Sequence, residues 1–331
     1  MAVKGTGKMR GFRSENVMEM AIERMEALYR DGHRVVVSFS GGKDSTCVLE
    51  VCLIAARRTG RLPVDVMMQD EEVGFPGVFE FAERTAQRSE VNFHWLHIYK
   101  PVINVFNRVS PFFWVFDPLL PPDKWVRQPP SYAMDVECQN IESITTPERF
   151  PPEPGKNLYA AIGLRTQESR GRMYGLFSSG GYITKMNPRG TYNARPIYDW
   201  SHGDVWKAIY ENGWDYADTY NTMYRMGVPN SRLRIGPPTM TAGGVEHLTL
   251  AMKAWPQWFE KVSERLPGVR TAAMFGKRAV LPHRHHKETW EGVFMRECIN
   301  EAPAPWIADR ASKVMERMLG AHSKHSSTEY H

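Results

Sequence analysis

The sequence has no long hydrophobic run, and its N-terminal segment lacks the features of a secretory leader. No stretch approaches the roughly 18 consecutive apolar residues of a membrane-spanning helix, so we expect no membrane association. Met1–Ser14 is basic and polar without an apolar core, which argues against a secretory signal in this segment. These absences predict a cytoplasmic protein.

The chain is also poor in cysteine, with only Cys47, Cys52, Cys138 and Cys298 in 331 residues. None belongs to a C-x-x-C pair, so the sequence offers neither a disulfide framework nor the paired ligands of an iron–sulfur cluster. Such cysteine usage is typical of a protein from a reducing compartment. We therefore expect no iron–sulfur cluster.

Neither sign of charge dominates, because 42 Lys and Arg residues stand against 37 Asp and Glu residues, for a net charge of +5. This mild excess suits an acidic ligand such as a nucleotide. It does not by itself establish nucleic-acid binding, and nucleic acid stays open as a partner.

The sequence does contain a strand, a Gly-rich turn and a helix in immediate succession. Val35–Val37 begins a β-branched strand, Gly41 and Gly42 allow a tight turn, and an apolar helix follows. The free N–H groups and the dipole of a helix N-terminus favour an anion, and Lys43 adds positive charge. We therefore expect a phosphate site built from Ser38, Ser40, Gly41, Gly42, Lys43, Asp44 and Ser45.

Helical and strand patterns alternate along the first hundred residues. Ser14 is a candidate cap for the first helix, and Val64–Met68 and Phe93–Tyr99 have strand patterns. This alternation predicts a Rossmann-like, doubly wound and mostly parallel α/β sheet with a mostly helical C-terminal extension. Ligands bind beyond the carboxyl ends of such strands, so Asp70 and Glu72 are candidate contacts for a ribose or a metal ion.

Changes in composition divide the chain into regions. Residues 1–235 are expected to form the nucleotide-binding α/β domain, interrupted by a Pro- and Trp-rich insertion over 100–154. Residues 236–321 have helical patterns and are expected to form a C-terminal region. The polar residues 322–331 are expected to be a disordered tail.

A second group of candidate site residues follows the predicted strand Leu158–Leu164. Arg165 and Arg172 come just past the strand, and guanidinium groups there can bind phosphate or sulfate in a bidentate manner. Gly163 precedes them, and Arg195 is a further candidate for holding a second anionic group. A solvated basic face is the alternative interpretation of this segment, which contains a single acid.

Three motifs resemble those of a known superfamily. Ser40–Ser45 resembles the PP-loop, Ser-Gly-Gly-x-Asp-Ser, of the adenine nucleotide α-hydrolases, and its lysine looks most like the phosphoadenylyl-sulfate (PAPS) reductase branch. Gly163–Arg172 is similar to the arginine motif of PAPS reductases, and Pro196–Trp206 is similar to their next landmark. Scattered aromatic segments, such as Trp214–Tyr216 and Thr289-Trp290, resemble the subfamily of the immunoglobulin-binding regulator A protein.

The resemblance implies that the ligand is an adenine nucleotide, ATP or PAPS, and that the chemistry takes place at its α-phosphate. Lys43, Asp44 and Arg165 are then the catalytic residues, because neutralising charge on the transferring group and the leaving pyrophosphate is the main requirement. If the nucleotide is ATP, Mg²⁺ would accompany it, with Asp44 as the candidate ligand. Adenylation with pyrophosphate release, or sulfonucleotide transfer, is the expected reaction.

One feature of the reductases is missing. PAPS reductases resemble one another in a C-terminal Glu-Cys-Gly-Leu-His segment, whereas Ser323–His331 has no cysteine and Glu297-Cys298 shares only two letters. Reductive release of sulfite needs a nucleophilic thiolate. Two alternatives therefore stay open: a nucleotide-sensing regulatory or DNA-associated protein with a ParB-like partner, as the resemblance implies, and a thiol-dependent PAPS reductase using Cys298.

Overall fold

The computed structural model describes residues 14–107, 112–137, 145–236, 242–275, 284–302 and 305–323. Cys138, residues 1–13 and residues 324–331, which entered the sequence-based predictions, lie outside these ranges. The chain divides into two compact units. The first comprises Met1–Pro101 and Trp114–Pro237, and the second comprises Val102–Phe113 and Pro238–His331.

The first unit is built on a six-stranded sheet. Its strands are β1 (Arg34–Phe39), β2 (Val64–Asp70), β3 (Val91–Tyr99), β6 (Met134–Glu137), β7 (Leu158–Ala161) and β8 (Thr191–Ala194). They are arranged in the order β6-β3-β2-β1-β7-β8, and every neighbouring pair is parallel. β4 (Pro101–Ile103) and β5 (Phe112–Trp114) form a separate two-stranded sheet. The prediction of a Rossmann-like α/β fold is confirmed.

The first unit also contains α-helices. They are α1 (Val17–Arg30), α2 (Lys43–Thr59), α3 (Val78–Ala86), α4 (Arg170–Ser179), α5 (His202–Glu211) and α6 (Thr219–Arg225). Of these helices, α2, α3 and α4 lie between strands of the sheet. The cap of α1 is Asn16 rather than Ser14, since its side chain accepts the Met18 N–H at 2.8 Å. Asn16 stands directly before the first helical residue, which is the position from which a side chain reaches the free N–H groups.

The central helix α2 is fixed firmly against the middle of the sheet. It follows β1, in which Val36 and Val37 are fully buried. Because successive strand residues point to opposite faces of a sheet, both faces are covered here. Buried residues make up twelve of the seventeen residues of α2, including Leu49 and Leu53. A helix buried to this extent cannot shift easily, so its N-terminus has a fixed position at the carboxyl edge of β1.

The second unit is helical after residue 237, as the sequence predicted for the C-terminal extension. Its helices are α7 (Ala242–Ala254), α8 (Pro256–Arg265), α9 (Val269–Phe275), α10 (Trp290–Phe294) and α11 (Pro305–His322). Asn104, from the first part of this unit in the sequence, contacts the connection between α8 and α9. Its side-chain amide donates to the carbonyl of Pro267 at 3.1 Å. Within the described ranges, no helix has the length and apolar character needed to cross a membrane.

Candidate functional site

The PP-loop connects the end of β1 to the start of α2 through a turn that requires glycine. Gly41 has a φ of +69°, and a Cβ there would lie 2.7 Å from the Val78 Cγ1 atom. Gly42 is the N-cap of α2 and supplies no side chain to bind the first N–H groups. The loop therefore brings main-chain amides close to any ligand at this edge.

Side-chain hydroxyl groups stabilise the loop by hydrogen bonds to its main chain. Ser45 Oγ donates to the carbonyl of Gly42 at 2.8 Å and accepts from the main-chain N–H of Ser40 at 3.2 Å. Thr46 Oγ1 donates to the same Gly42 carbonyl at 3.0 Å. In this structure Ser45 thus holds the shape of the loop, while Ser38 and Ser40 border the adjacent cavity.

Two buried cations flank the carboxylate of Asp44. Arg165 Nε donates to Asp44 Oδ1 at 2.6 Å, and Lys43 Nζ donates to Asp44 Oδ2 at 3.1 Å. Lys43 and Arg165 are each only 3% exposed. Burial lowers the pKa of the Lys43 ammonium, and the neighbouring Asp44 only partly opposes this effect. Two cations sharing one carboxylate leave a net positive charge that favours an incoming anion.

Asp44 does not fit the role of a magnesium ligand in this arrangement. Both of its oxygens accept hydrogen bonds from cationic side chains, so a bound Mg²⁺ would have to displace Lys43 or Arg165. In the ranges that the structure describes, no group of three or more His, Cys, Asp or Glu side chains is arranged to hold a metal ion. Asp44 acts here as the counter-ion of the two cations.

Gly163 brings the chain after β7 into contact with α2. A Cβ at this position would lie 2.8 Å from the carbonyl carbon of Asp44 and 2.9 Å from the main-chain nitrogen of Ser45. Only a residue without a side chain permits this approach. The contact places Arg165, two residues later, beside Asp44.

The basic residues after Arg165 divide into two kinds. Arg172 pairs with Glu168 and lies close enough to Arg234 for that charge to lower its pKa, after the larger effect of burial. Arg234, which was not predicted from the sequence as a site residue, therefore extends the positive charge around the loop. Arg195 is 4% exposed and donates to the main-chain carbonyl of Gly181 at 2.7 Å, so it supports its own segment.

Asp70 and Glu72 are fully buried, and in this structure both carboxylates bind other residues of the protein. Asp70 pairs with Arg127 and accepts from the Trp95 indole N–H at 2.8 Å. Glu72 accepts from the main-chain N–H groups of two residues of the insertion, Phe116 at 2.6 Å and Val126 at 3.1 Å. Their carboxylates hold the segment 114–127 against the sheet edge instead of facing a ribose or a metal ion.

A cavity of 280 Å³ lies beside the PP-loop, between the carboxyl ends of β1 and β2. Ser38 and Ser40 line it from the end of β1, and Met68, Gln69 and Glu71 line it from the end of β2 and the residues that follow. Phe79 of α3 adds apolar surface. The cavity therefore combines apolar surface with the hydroxyl groups at the start of the loop, at the edge where ligands of parallel sheets bind.

Two contacts on Lys43 come from segments far along the chain. The Lys43 main-chain N–H donates to the Tyr220 hydroxyl at 2.9 Å, and Lys43 Nζ donates to the carbonyl of Leu233 at 3.1 Å. These partners lie 177 and 190 positions away in the sequence. Sequence reasoning missed both, because a single tyrosine in an aromatic-rich segment gives no sign of a main-chain partner.

Comparison with known proteins identifies related chains. A family model described as "Phosphoadenosine phosphosulfate reductase domain" matches residues 34–228. The uncharacterized Escherichia coli K12 protein YbdN is 30% identical over 244 residues, which cover 67% of this chain and 59% of YbdN. The chain thus aligns with less than two thirds of the length of that curated relative.

Solved structures are similar at a lower level. Candida glabrata FMN adenylyltransferase in complex with FMN and the ATP analogue AMPCPP is 14% identical, with 64% of each chain covered and a TM-score of 0.39. The PAPS reductase of Candida auris in a phosphate complex is 13% identical, with 69% of this chain and 97% of that chain covered and a TM-score of 0.36. These values are too low to indicate a shared activity.

Proposed function

Because the chain belongs to the phosphoadenosine phosphosulfate reductase domain family, we propose that it binds an adenine nucleotide, ATP or PAPS, at the PP-loop and acts at the α-phosphate. The observation that carries this proposal is the continuity of the 280 Å³ cavity with the loop. The cavity borders Ser40, and α2 begins three residues later with the buried Lys43. A pocket that joins the apolar surface of Met68 and Phe79 to the hydroxyl of Ser40, just before the helix N-terminus, suits a base and ribose joined to phosphates.

The nucleoside would occupy the cavity between β1 and β2. Met68 and Phe79 offer apolar surface to a flat base, and the main chain at Gln69 lies at the carboxyl end of β2. The volume is close to the roughly 300 Å³ at the lower end of small-molecule sites, as expected for a nucleoside without its phosphates. Asp70 and Glu72 would support this pocket from behind, through the segment that they hold in place.

The phosphates would lie over Gly41, Gly42 and the first turn of α2. Main-chain N–H groups, the helix dipole and the Ser40 hydroxyl would bind them, and Lys43 and Arg165 would neutralise charge on the leaving group. This electrostatic stabilisation is the largest catalytic contribution in transfer reactions of this type. Arg172 and Arg234 would accept a second anionic group, such as the 3′-phosphate of PAPS.

The protonation and the positions of the described cysteine thiols favour adenylation or sulfonucleotide transfer over reduction. Burial raises the pKa of the Cys47 thiol well above its usual range and that of Cys52 to about 12, so neither supplies a thiolate at neutral pH. Cys298 is half-buried and belongs to the second unit, in the helical turn that follows α10. The described part of the first unit therefore supplies no reactive thiol to the PP-loop.

Calorimetric titration of the wild-type chain with ATP, AMP, PAPS and adenylyl sulfate tests the proposal, followed by an assay of pyrophosphate release. We expect ATP or PAPS to bind. We expect Lys43→Ala to weaken binding at least about tenfold, because one strong charge-assisted hydrogen bond contributes about that much to affinity. Lys207→Ala, at a lysine whose side chain is 68% exposed, is the matched control. Unchanged affinity in Lys43→Ala would contradict the proposal.

Turnover separates the remaining alternatives. Pyrophosphate release that depends on an acceptor supports adenylation. Tight binding without any turnover would instead favour a nucleotide-sensing regulator of the immunoglobulin-binding regulator A type, working with a ParB-like partner. Loss of activity in Cys298→Ser would favour the thiol-dependent reductase.

A further inference from the structure

A second cavity, of 450 Å³, lies in the first unit and shares Tyr220 and Leu233 with the environment of Lys43. Aromatic side chains dominate its walls: Trp206, Tyr210, Trp214, Tyr216, Tyr220 and Tyr224. No Asp, Glu, Lys, Arg or His side chain is among its described lining residues. A cavity of this size and lining suits an uncharged ligand of a few rings.

Two pairs of lining rings lie nearly perpendicular to each other. The Trp206 ring meets the ring of Tyr220 at 88° with 5.2 Å between centroids, and the ring of Tyr216 at 83° and 5.7 Å. Edge-to-face contacts of this kind hold the rings rigidly. A flat ligand could therefore stack on one wall while its edge meets another, which a saturated ligand of equal volume could not do.

One polar group of a lining residue has no partner among the described residues. The Trp206 indole N–H is buried and finds no acceptor in the part of the chain that the structure describes. The Tyr216 hydroxyl, by contrast, donates to Asn221 Oδ1 at 2.9 Å, and the Tyr220 hydroxyl accepts from the Lys43 N–H. A buried donor without an acceptor is costly. Because this group is buried, the ligand meets the ring of Trp206 rather than its N–H group.

We propose that this aromatic cavity binds a neutral, planar aromatic molecule, and that its occupancy weakens nucleotide binding through Tyr220. The ring of Tyr220 is part of the cavity wall, while its hydroxyl holds the Lys43 main-chain N–H. A ligand packed on the ring stabilises Tyr220 in this position. The Lys43 N–H is then less available to a phosphate.

The second half of this inference rests on the proposed nucleotide function, whereas the first half does not. A nucleotide phosphate bound at the start of α2 competes with the Tyr220 hydroxyl for one N–H group. Because coupling between two binding sites is reciprocal, a nucleotide must weaken binding in the cavity by the same factor. The two halves therefore need separate experiments.

The cavity itself is tested without nucleotide, by calorimetric titration of the full chain with 2-naphthol and with decahydro-2-naphthol, which has the same carbon skeleton and hydroxyl but no aromatic ring. We expect 2-naphthol to bind at least about tenfold more tightly, since only the flat compound stacks on the walls. Equal affinity of the two compounds, or no binding of either, would overturn the assignment.

Paired tyrosine variants locate the binding site. Tyr224 lines the cavity and is 62% exposed, so Tyr224→Ala removes wall area without opening a buried core. We expect it to weaken 2-naphthol binding about threefold to tenfold, the contribution of one aromatic contact. Tyr174→Ala is the matched control, because Tyr174 is 59% exposed and lies outside the lining. Equal effects of the two variants would place the ligand elsewhere and overturn the inference.

Coupling is tested by titrating ATP and PAPS in the presence and absence of saturating 2-naphthol. We expect the nucleotide affinity to fall at least about fivefold in the wild-type chain and to change little in Tyr220→Phe, which keeps the ring but lacks the acceptor. The same fall in both proteins would overturn the role of the hydroxyl. If 2-naphthol binds but no nucleotide does, the nucleotide function and the coupling fail while the cavity assignment stands.

Discussion

Gly163 lies so close to Asp44 that a Cβ on the glycine would stand 2.8 Å from the carbonyl carbon of the aspartate. The segment that follows β7 is thereby held against the first turn of α2. Arg165 reaches the Asp44 carboxylate with an Nε–Oδ1 distance of 2.6 Å as a consequence. The position of the main site arginine thus depends on the absence of a side chain two residues earlier.

Gly163→Ala should therefore damage both the fold and the site. The new methyl group meets main-chain atoms that cannot move independently of α2, and overpacking of this kind costs about 1–3 kcal/mol in the free energy of unfolding. Urea unfolding and nucleotide titration measure the two effects. Gly175→Ala is the control, since a Cβ there meets nothing within 4 Å and alanine favours the helix interior. Equal stability of the two variants would contradict the close contact.

Nucleotide binding should weaken at alkaline pH earlier than an ordinary lysine would allow. Burial lowers the pKa of Lys43, so the ammonium that binds phosphate loses its proton below the usual lysine range. Dissociation constants measured from about pH 7 to 11 check this. Lys43→Met should bind weakly at every pH, without the alkaline fall. A wild-type profile that stays flat to the ordinary lysine pKa would contradict the expectation.

The same titration has a defined effect on stability. In the folded chain Lys43 has the lower pKa, so between that pKa and the ordinary value the unfolded chain binds more protons than the folded one. The free energy of unfolding should therefore rise with pH across this window, as far as Lys43 contributes. The difference between the wild-type chain and Lys43→Met, measured by urea unfolding at several pH values, isolates the contribution of this group.

Asp70→Ala should be far more destabilising than the loss of an exposed acid. Asp70 is fully buried, and its removal leaves Arg127 without its ion-pair partner and the Trp95 N–H without its acceptor. Breaking one side of such a pair costs about 3–5 kcal/mol. Asp215→Ala, which breaks a pair with Arg84 whose side chains are both about half exposed, should cost no more than about 1 kcal/mol. Chemical unfolding of the two variants gives the comparison.

Arg165→Lys should lower the rate of reaction more than the affinity for nucleotide. Lysine keeps the charge but lacks the planar guanidinium that reaches Asp44 and a phosphate together. Removing one oriented donor to a developing charge typically costs about 10²–10³ in kcat. Single-turnover measurement of pyrophosphate release tests this, with Arg225→Lys, at an exposed arginine, as the control. A wild-type rate in Arg165→Lys would contradict a catalytic role.

Much of the fold could be predicted because local signals and tertiary packing agree. The β-branched run Val35–Val37 forms the centre of β1 and is buried on both faces of the sheet. Such a continuous apolar run is typical of an internal strand in a parallel sheet that is covered on both faces. Gly41 occupies a left-handed turn that few other residues adopt. The PP-loop combines both signals in a few adjacent residues, so its geometry was accessible from the sequence alone.

The roles of Asp70 and Glu72 were not accessible in the same way. A carboxylate after a strand has the same appearance in a sequence whether a ligand or the protein itself supplies its partners. Besides Trp95 of β3, the partners are Arg127 and the N–H groups of Phe116 and Val126, which lie within an insertion whose path has no periodic pattern. Long-range partners of this kind are determined by tertiary packing, which local residue patterns do not encode.

The division of the chain also has a consequence for its biosynthesis. The stretch 102–113 of the sequence belongs to the second unit, yet the ribosome delivers it long before Pro267, to which Asn104 donates. Domains tend to fold as they emerge, so Asn104 must wait for this acceptor until Pro267 has been translated. A gene shortened to end after residue 237 would remove Pro267 and leave Asn104 permanently without this acceptor. Such a fragment should be more prone to aggregate than the 331-residue chain.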